Sequence, residues 1–122
     1  MILIDTSVWI DHQRGVAPHL TDLILAKSVI LHPGVIGELA CGSLPDRTSY
    51  LEFLRDLPQM PAAEHDEVLF FLEMHQFFGK GAGYIDLQLL ASAFLNDALF
   101  WTNDKRLAQM AIQLNIAYKP TH

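Results

Sequence analysis

Three carboxylates in this chain stand apart from all other charges. Asp5 is the only charged side chain in residues 1–10, Glu38 lies alone between Lys27 and Asp46, and Asp86 lies alone between Lys80 and Asp97. Surface acids normally come among other charged groups, whereas these are set singly into apolar surroundings. Asp86 is the sharpest case, because the stretch YIDLQLLASA (84–93) reads as a buried helix. Its i+3 and i+4 neighbours are Leu89 and Leu90, so the acid shares a face with core residues, where an unpaired charge is expensive. Acids grouped without a cation repel one another and raise their own pKa values, a conflict that a divalent metal removes. All-oxygen ligands suit Mg²⁺ or Mn²⁺ rather than a soft metal. A site of that kind points to phosphoryl transfer or phosphodiester hydrolysis, in which the ion orients and activates water and neutralises charge on the phosphate.

Each acid also has a plainer use. Asp5 follows a strand and is suited to cap the next helix, Glu38 suits an exposed helical stripe, and Asp86 complements the positive end of its own helix. A fourth acid, Asp104 in TNDKR, looks like an ordinary helix cap. Recurrence in three separate segments favours a shared pocket over three unrelated explanations.

Composition narrows the class. The chain has 122 residues, of which 51% are hydrophobic and 18% charged, enough for the core of one domain spanning 1–122 and too apolar for disorder. No run is suited to cross a membrane, and the first residues lack the features of a signal peptide. The one cysteine, Cys41, excludes an internal disulfide framework and fits a reducing cytoplasm. A net charge of −6 disfavours a conventional nucleic-acid binder but not a nuclease whose acids hold metal. The six histidines show no HExxH or cysteine-paired spacing for zinc, and no GxSxG elbow is present. GKGAG (79–83) lacks the Walker spacing and reads as a flexible approach to the next helix. His32 and His75 read as satisfied structural histidines. Trp9, Trp101, Phe70 and Phe71 read as core, and Lys105 and Arg106 as solvated.

Strands are expected at 1–4, 29–32, 98–102 and 116–119, with at most a short edge strand between Pro58 and Pro61. Helices are expected from Val8 to Arg14, after Pro18, from Pro33 to Gly42, after an Asp46 cap, over 64–78, from 84 onward and over 104–114. Strands alternating with helices predict an α/β fold, with a largely parallel sheet covered on both faces. Ligands in such sheets sit beyond the carboxyl ends of the strands, where Asp5 and Asp104 fall.

Four segments in order, IDTSVWID (4–11), HPGVIGELACG (32–42), GYIDLQLLASA (83–93) and WTNDKRLAQMA (101–111), resemble the PIN-domain ribonucleases, most closely the VapC toxins of type II toxin–antitoxin systems. The resemblance spans essentially the whole chain and implies a three-layer α/β/α sandwich with a mostly parallel sheet of about four or five strands. It places the family's acidic quartet on Asp5, Glu38, Asp86 and Asp104. Asp5 and Asp86 would be the main metal ligands, with Glu38 and Asp104 completing the set directly or through water. Thr6, Ser7, Thr102 and Asn103 match positions that shape such pockets. The family further implies Mg²⁺- or Mn²⁺-dependent endonucleolytic cleavage of RNA, often tRNA or ribosomal RNA. Homodimers are implied too, with a VapB-type antitoxin that wraps the toxin and can place a basic side chain in the pocket. Arg14, Lys80, Lys105 and Arg106 are candidates for holding RNA.

Two rivals stand beside this reading. One is a catalytically silent PIN-like module that only captures a protein, against which the intact quartet argues. The other is a phosphoacceptor signalling domain. That would want a paired acid cluster on the first strand and a lysine ending a late strand, whereas here the late strand ends in Thr102–Asn103–Asp104.

Overall fold

A computed structural model describes residues 1–120. Strand β1 (Ile2–Ile4) lies between β2 (Val29–Ile30) and β3 (Leu99–Trp101), and all pairings are parallel. Ile2 faces Val29 on one side and Leu99 on the other. Successive strand side chains point to opposite faces, yet Ile2, Leu3 and Ile4 are all buried. Helices therefore cover both faces of the sheet, as expected of a central parallel strand written as an unbroken apolar run.

The expected four or five strands reduce to three, extended at each edge by a single bridge among the described residues. Leu31 donates to Pro58 O at 2.8 Å and accepts from Met60 N at 2.7 Å. At the far edge, Phe100 N–H donates to Ile116 O at 2.7 Å and Tyr118 N–H donates to Phe100 O at 2.9 Å. The strand expected at 116–119 is thus one bridge at Ala117, squeezed between the left-handed turn at Asn115 (φ 61°) and Pro120, which has no N–H to give. The second strand also ends early, because His32 turns to cap the following helix.

Seven helices complete the described chain: α1 (Thr6–Gln13), α2 (Pro18–Leu25), α3 (Pro33–Cys41), α4 (Arg47–Asp56), α5 (His65–His75), α6 (Tyr84–Leu95) and α7 (Lys105–Gln113). Asp46 precedes α4 but does not cap it. It sits in the left-handed region (φ 47°), and its side chain makes no cap hydrogen bond. Helix α5 stops three residues short of the expected position 78, where Gln76 turns left-handed (φ 55°). That turn folds Phe77 into the core and leaves Phe78 exposed. Trp9, Trp101 and Phe71 are core as expected, whereas Phe70 is 65% exposed on the outer side of α5. Helix α6 packs against α3, α5, α7 and β3, burying Leu87, Leu89, Leu90 and the small run Ala91–Ser92–Ala93. Among the described residues no helix is long and apolar enough to cross a membrane.

Candidate active site

The connections from β1 and β3 leave at adjacent carboxyl ends of the sheet, the place where open α/β folds gather ligands. Asp5 is the first residue beyond β1, and its main-chain N–H still pairs with Trp101 O at 2.9 Å. Its side chain is buried, only 5% exposed. Oδ2 accepts from Ser7 Oγ at 2.9 Å and from Thr102 Oγ1 at 2.7 Å. Both hydroxyls are also acceptors, Ser7 from Asn103 N–H at 3.2 Å and Thr102 from Asp104 N–H at 3.0 Å. A hydroxyl has one proton, so each spends it on Asp5 and uses a lone pair to hold the 102–104 turn. Acid and turn are locked together across 97 residues of sequence. The Asp5 carboxylate makes no helix-cap bond, and that plainer reading falls.

Asp104 does cap, taking Arg106 N–H at 2.8 Å and Leu107 N–H at 3.0 Å on Oδ1. The charge of the same carboxylate also acts on Asp86. Asp86, half-buried in the first turn of α6, receives one long hydrogen bond, from Gly83 N–H at 3.4 Å. Burial pushes its carboxyl above the ordinary value, and the charges of Asp5 and Asp104 push it further. The Gly83 N–H and the Arg106 cation pull the other way. Acids from three segments therefore lie within reach of one another's fields.

Glu38 is less intimate. It lies exposed on α3, where Oε1 accepts from Thr6 Oγ1 at 2.7 Å, one residue from Asp5. Its charge is not among those acting on Asp86. With Arg14, Ile10 and Gln13 it lines a neighbouring cavity of about 360 Å³, so Arg14 stands beside Glu38 rather than beside Asp86. Lys80 is exposed in the 79–83 loop, and Lys105 lines another cavity with Trp101, Asn103 and Tyr118. Arg106 is the basic candidate whose charge reaches Asp86.

One participant escaped sequence reasoning. Asp11 Oδ2 accepts from Asn103 Nδ2 at 2.9 Å, so Ser7 and Asp11 both grip Asn103 from one face of α1. Their i, i+4 spacing was the available signal.

Behind the acids lies a different polar cluster. His32 Nδ1 accepts from Gly34 N–H at 2.8 Å, which puts the ring proton on Nε2, 3.0 Å from Ser92 Oγ. Ser92 also accepts from Ala63 N–H at 2.9 Å and donates to Gln88 Oε1 at 2.7 Å. Gln88 Nε2 closes the circuit on Ala63 O at 2.9 Å. Desolvation holds His32 below its ordinary pKa, so it is a satisfied structural residue as expected. His75 is not, since among the described residues its buried Nε2 has no partner and its ring lies among Phe71, Phe77 and Phe94.

Among the described residues no group of three or more His, Cys, Asp or Glu side chains is placed so that it could hold a metal ion by itself. The acids form an open set of hard oxygens whose repulsion is only partly offset by one cation. That donor set fits an ion such as Mg²⁺ or Mn²⁺, which retains part of its water shell, and does not fit zinc, which favours nitrogen and sulfur.

No protein-family profile matches the chain. Whole-length relatives do. It is 42% identical over 118 residues to ribonuclease VapC32 of Mycobacterium tuberculosis, strains CDC 1551 / Oshkosh and H37Rv, covering 96% of this chain and 95% of the relative. Among solved structures, FitAcB from Neisseria gonorrhoeae superposes with a TM-score of 0.66 at 20% identity, covering 96% of this chain and 95% of that one. FitAB bound to an IR36 DNA fragment gives 0.67 at 18% identity over 96% and 92% of the two chains. The two structures establish the fold, and the whole-length identity establishes the lineage: the chain belongs to the VapC family of PIN-domain ribonucleases.

Proposed function

We propose that this chain is the toxin of a type II toxin–antitoxin pair and a Mg²⁺- or Mn²⁺-dependent endoribonuclease acting on tRNA or ribosomal RNA. The observation that supports the reading is that the charges of Asp5 and Asp104 act on Asp86, whose carboxyl is held above its ordinary value with only Arg106 as an opposing cation. Asp5 and Asp86 would hold the ion, with Asp104 and, at the outer edge, Glu38 completing the set directly or through water. A divalent ion there supplies charge neutralisation for the acids and the scissile phosphate, together with activation of water. The protein's own part is rigidity. Ser7 and Thr102 pin Asp5, Asn103 is held between Ser7 and Asp11, and Thr6 ties Glu38 to α1. No single side chain is assigned as general base.

The relative named ribonuclease VapC32 supports the activity at 42% identity. Family kinship supports a VapB-type antitoxin, and the net charge of −6 suits a basic antitoxin tail. A homodimer is part of the same proposal. The exposed Phe70, Met74 and Leu95 on α5 and α6 offer apolar surface for chain-to-chain contact. The place of action is the cytoplasm.

Cleavage of tRNA and ribosomal RNA by antitoxin-free protein tests the reading, with Mg²⁺, with Mn²⁺ and with EDTA. Activity with metal and its near-loss in Asp5→Asn and Asp86→Asn are expected. Undiminished cleavage in EDTA overturns the metal dependence. No cleavage of any RNA under all three conditions favours the silent protein-capturing module instead.

A further inference from the structure

Arg106 stands where the acidic pocket meets the 79–83 loop. Its main chain is fixed in the first turn of α7, with its N–H on Asp104 Oδ1 at 2.8 Å. Its side chain crosses to lie against Gly81, whose φ of +86° already favours glycine. A Cβ built on Gly81 would overlap Arg106 Nη1 and come within 3.1 Å of Cζ. The guanidinium thus fills the space that a side chain at position 81 would take. The left-handed backbone calls for glycine at 81, and the exposed guanidinium rests in the space that its missing side chain leaves.

The second observation concerns what that cation is bonded to. Among the described residues, Arg106 hydrogen-bonds through its main-chain N–H, and the guanidinium has no carboxylate acceptor. It nevertheless stands close enough to act on Asp86 through space. Arg106 is exposed, and its planar fork of five donors is near the acids without being consumed by an internal ion pair among the described residues. A polyanion approaching three carboxylates needs such a group, and a guanidinium can take two phosphate oxygens at once.

We propose that Arg106, seated on the bare Cα of Gly81, grips the non-bridging oxygens of the RNA phosphate that enters the acidic pocket. The inference rests on the ribonuclease reading and deepens it by naming the group that offsets the acids' repulsion of the substrate.

The test compares wild type, Arg106→Ala, Arg106→Lys and Gly81→Ala, with Asp5→Asn as the control for the acidic site. Bulk tRNA is the substrate with Mn²⁺, and a fluorescent RNA oligonucleotide in EDTA reports binding. A lost charge-assisted pair predicts a fall in kcat/KM of about 30-fold for Arg106→Ala. Partial recovery by Arg106→Lys, and recovery of the alanine variant by millimolar guanidinium ion, are also expected. Gly81→Ala keeps the arginine but displaces it, and should fall about fivefold with an unchanged circular dichroism spectrum. In EDTA the salt slope of RNA binding should shrink by about one phosphate contact in Arg106→Ala.

Arg106→Ala cleaving within twofold of wild type, while Asp5→Asn is inactive, overturns this inference and leaves the ribonuclease reading standing. A damaged Arg106→Ala beside an unaffected Gly81→Ala overturns the seat. Wild type inactive on RNA with Mg²⁺ and with Mn²⁺ overturns the ribonuclease reading and this inference with it.

Discussion

Asp86 and Ser92 lie on the same helix, α6, and the polar chemistry around them is opposite in kind. Ser92 is fully buried and fully employed, accepting from His32 and Ala63 and donating to Gln88. Asp86 is less buried, yet it is the strained one, with one long hydrogen bond and two acids acting against its charge. A polar cluster whose task is to join α3, the 58–64 crossover and α6 closes on itself. At the carboxyl edge of the sheet Asp5 and Asp104 are hydrogen-bonded, and Asp86 alone is left short of partners. The acids lie at the carboxyl edge of the sheet, while the closed cluster lies in the packed interior.

The comparison can be broken or sharpened by substitution. The largest effect is expected for Asp5→Asn, which should lower RNA cleavage by about 100-fold or more in steady-state assays, since it removes charge where an ion and phosphate must be held. Wild-type rates in that variant would make the open cluster merely structural. On the closed side, Ser92→Ala leaves the Ala63 N–H without its acceptor and His32 Nε2 with only the longer 3.3 Å contact to Gln88 Oε1, and should lower unfolding free energy by about 1–3 kcal/mol in urea titrations. Thr102→Val conserves shape but removes the proton given to Asp5 and the acceptor used by Asp104 N–H. A loss of about 1–2 kcal/mol is expected, with cleavage falling further than stability.

The smallest effect is the acid sensitivity of His32. Its folded pKa lies below the ordinary 6.5 through burial, so the unfolded chain binds more protons in the window between the two values. His32 therefore contributes stability in full above about 6.5 and loses it as pH falls through the folded value. His12, also held down by burial, acts in the same sense. The part of the thermal-midpoint drop below pH 6.5 that belongs to His32 should vanish in His32→Asn.

Much of the candidate site was legible because an isolated acid in an apolar run is a local feature. Asp5, Glu38 and Asp86 stand out by the absence of charged neighbours, whereas Asp104 reads as a helix cap and joins them only through the family resemblance. Element order was legible for the same reason, since the central strand is an unbroken apolar run. Distances between segments were not. The bond from Asn103 to Asp11 spans 92 residues, and the seat of Arg106 on Gly81 depends on how α7 meets the 79–83 loop. Asp46 misled because its residue type suits a cap while its left-handed backbone does not. The sheet edges misled because prolines and a left-handed turn cut the outer strands to single bridges.

The central claim is that Asp86 belongs to a pocket short of positive charge that a divalent ion completes. Its raised folded pKa means that the folded state binds this proton more readily than the unfolded chain does. Stability therefore falls as pH rises from the ordinary carboxyl value, 3.8, through the folded one, and stays lower at neutral pH. Thermal unfolding at pH 7 of wild type and Asp86→Asn, with EDTA and then with millimolar Mn²⁺, reads this directly. The account predicts that the asparagine variant melts higher in EDTA, and that Mn²⁺ raises wild type much more than the variant, closing or reversing the gap. A variant that melts lower in EDTA, with both proteins responding equally to Mn²⁺, would contradict it.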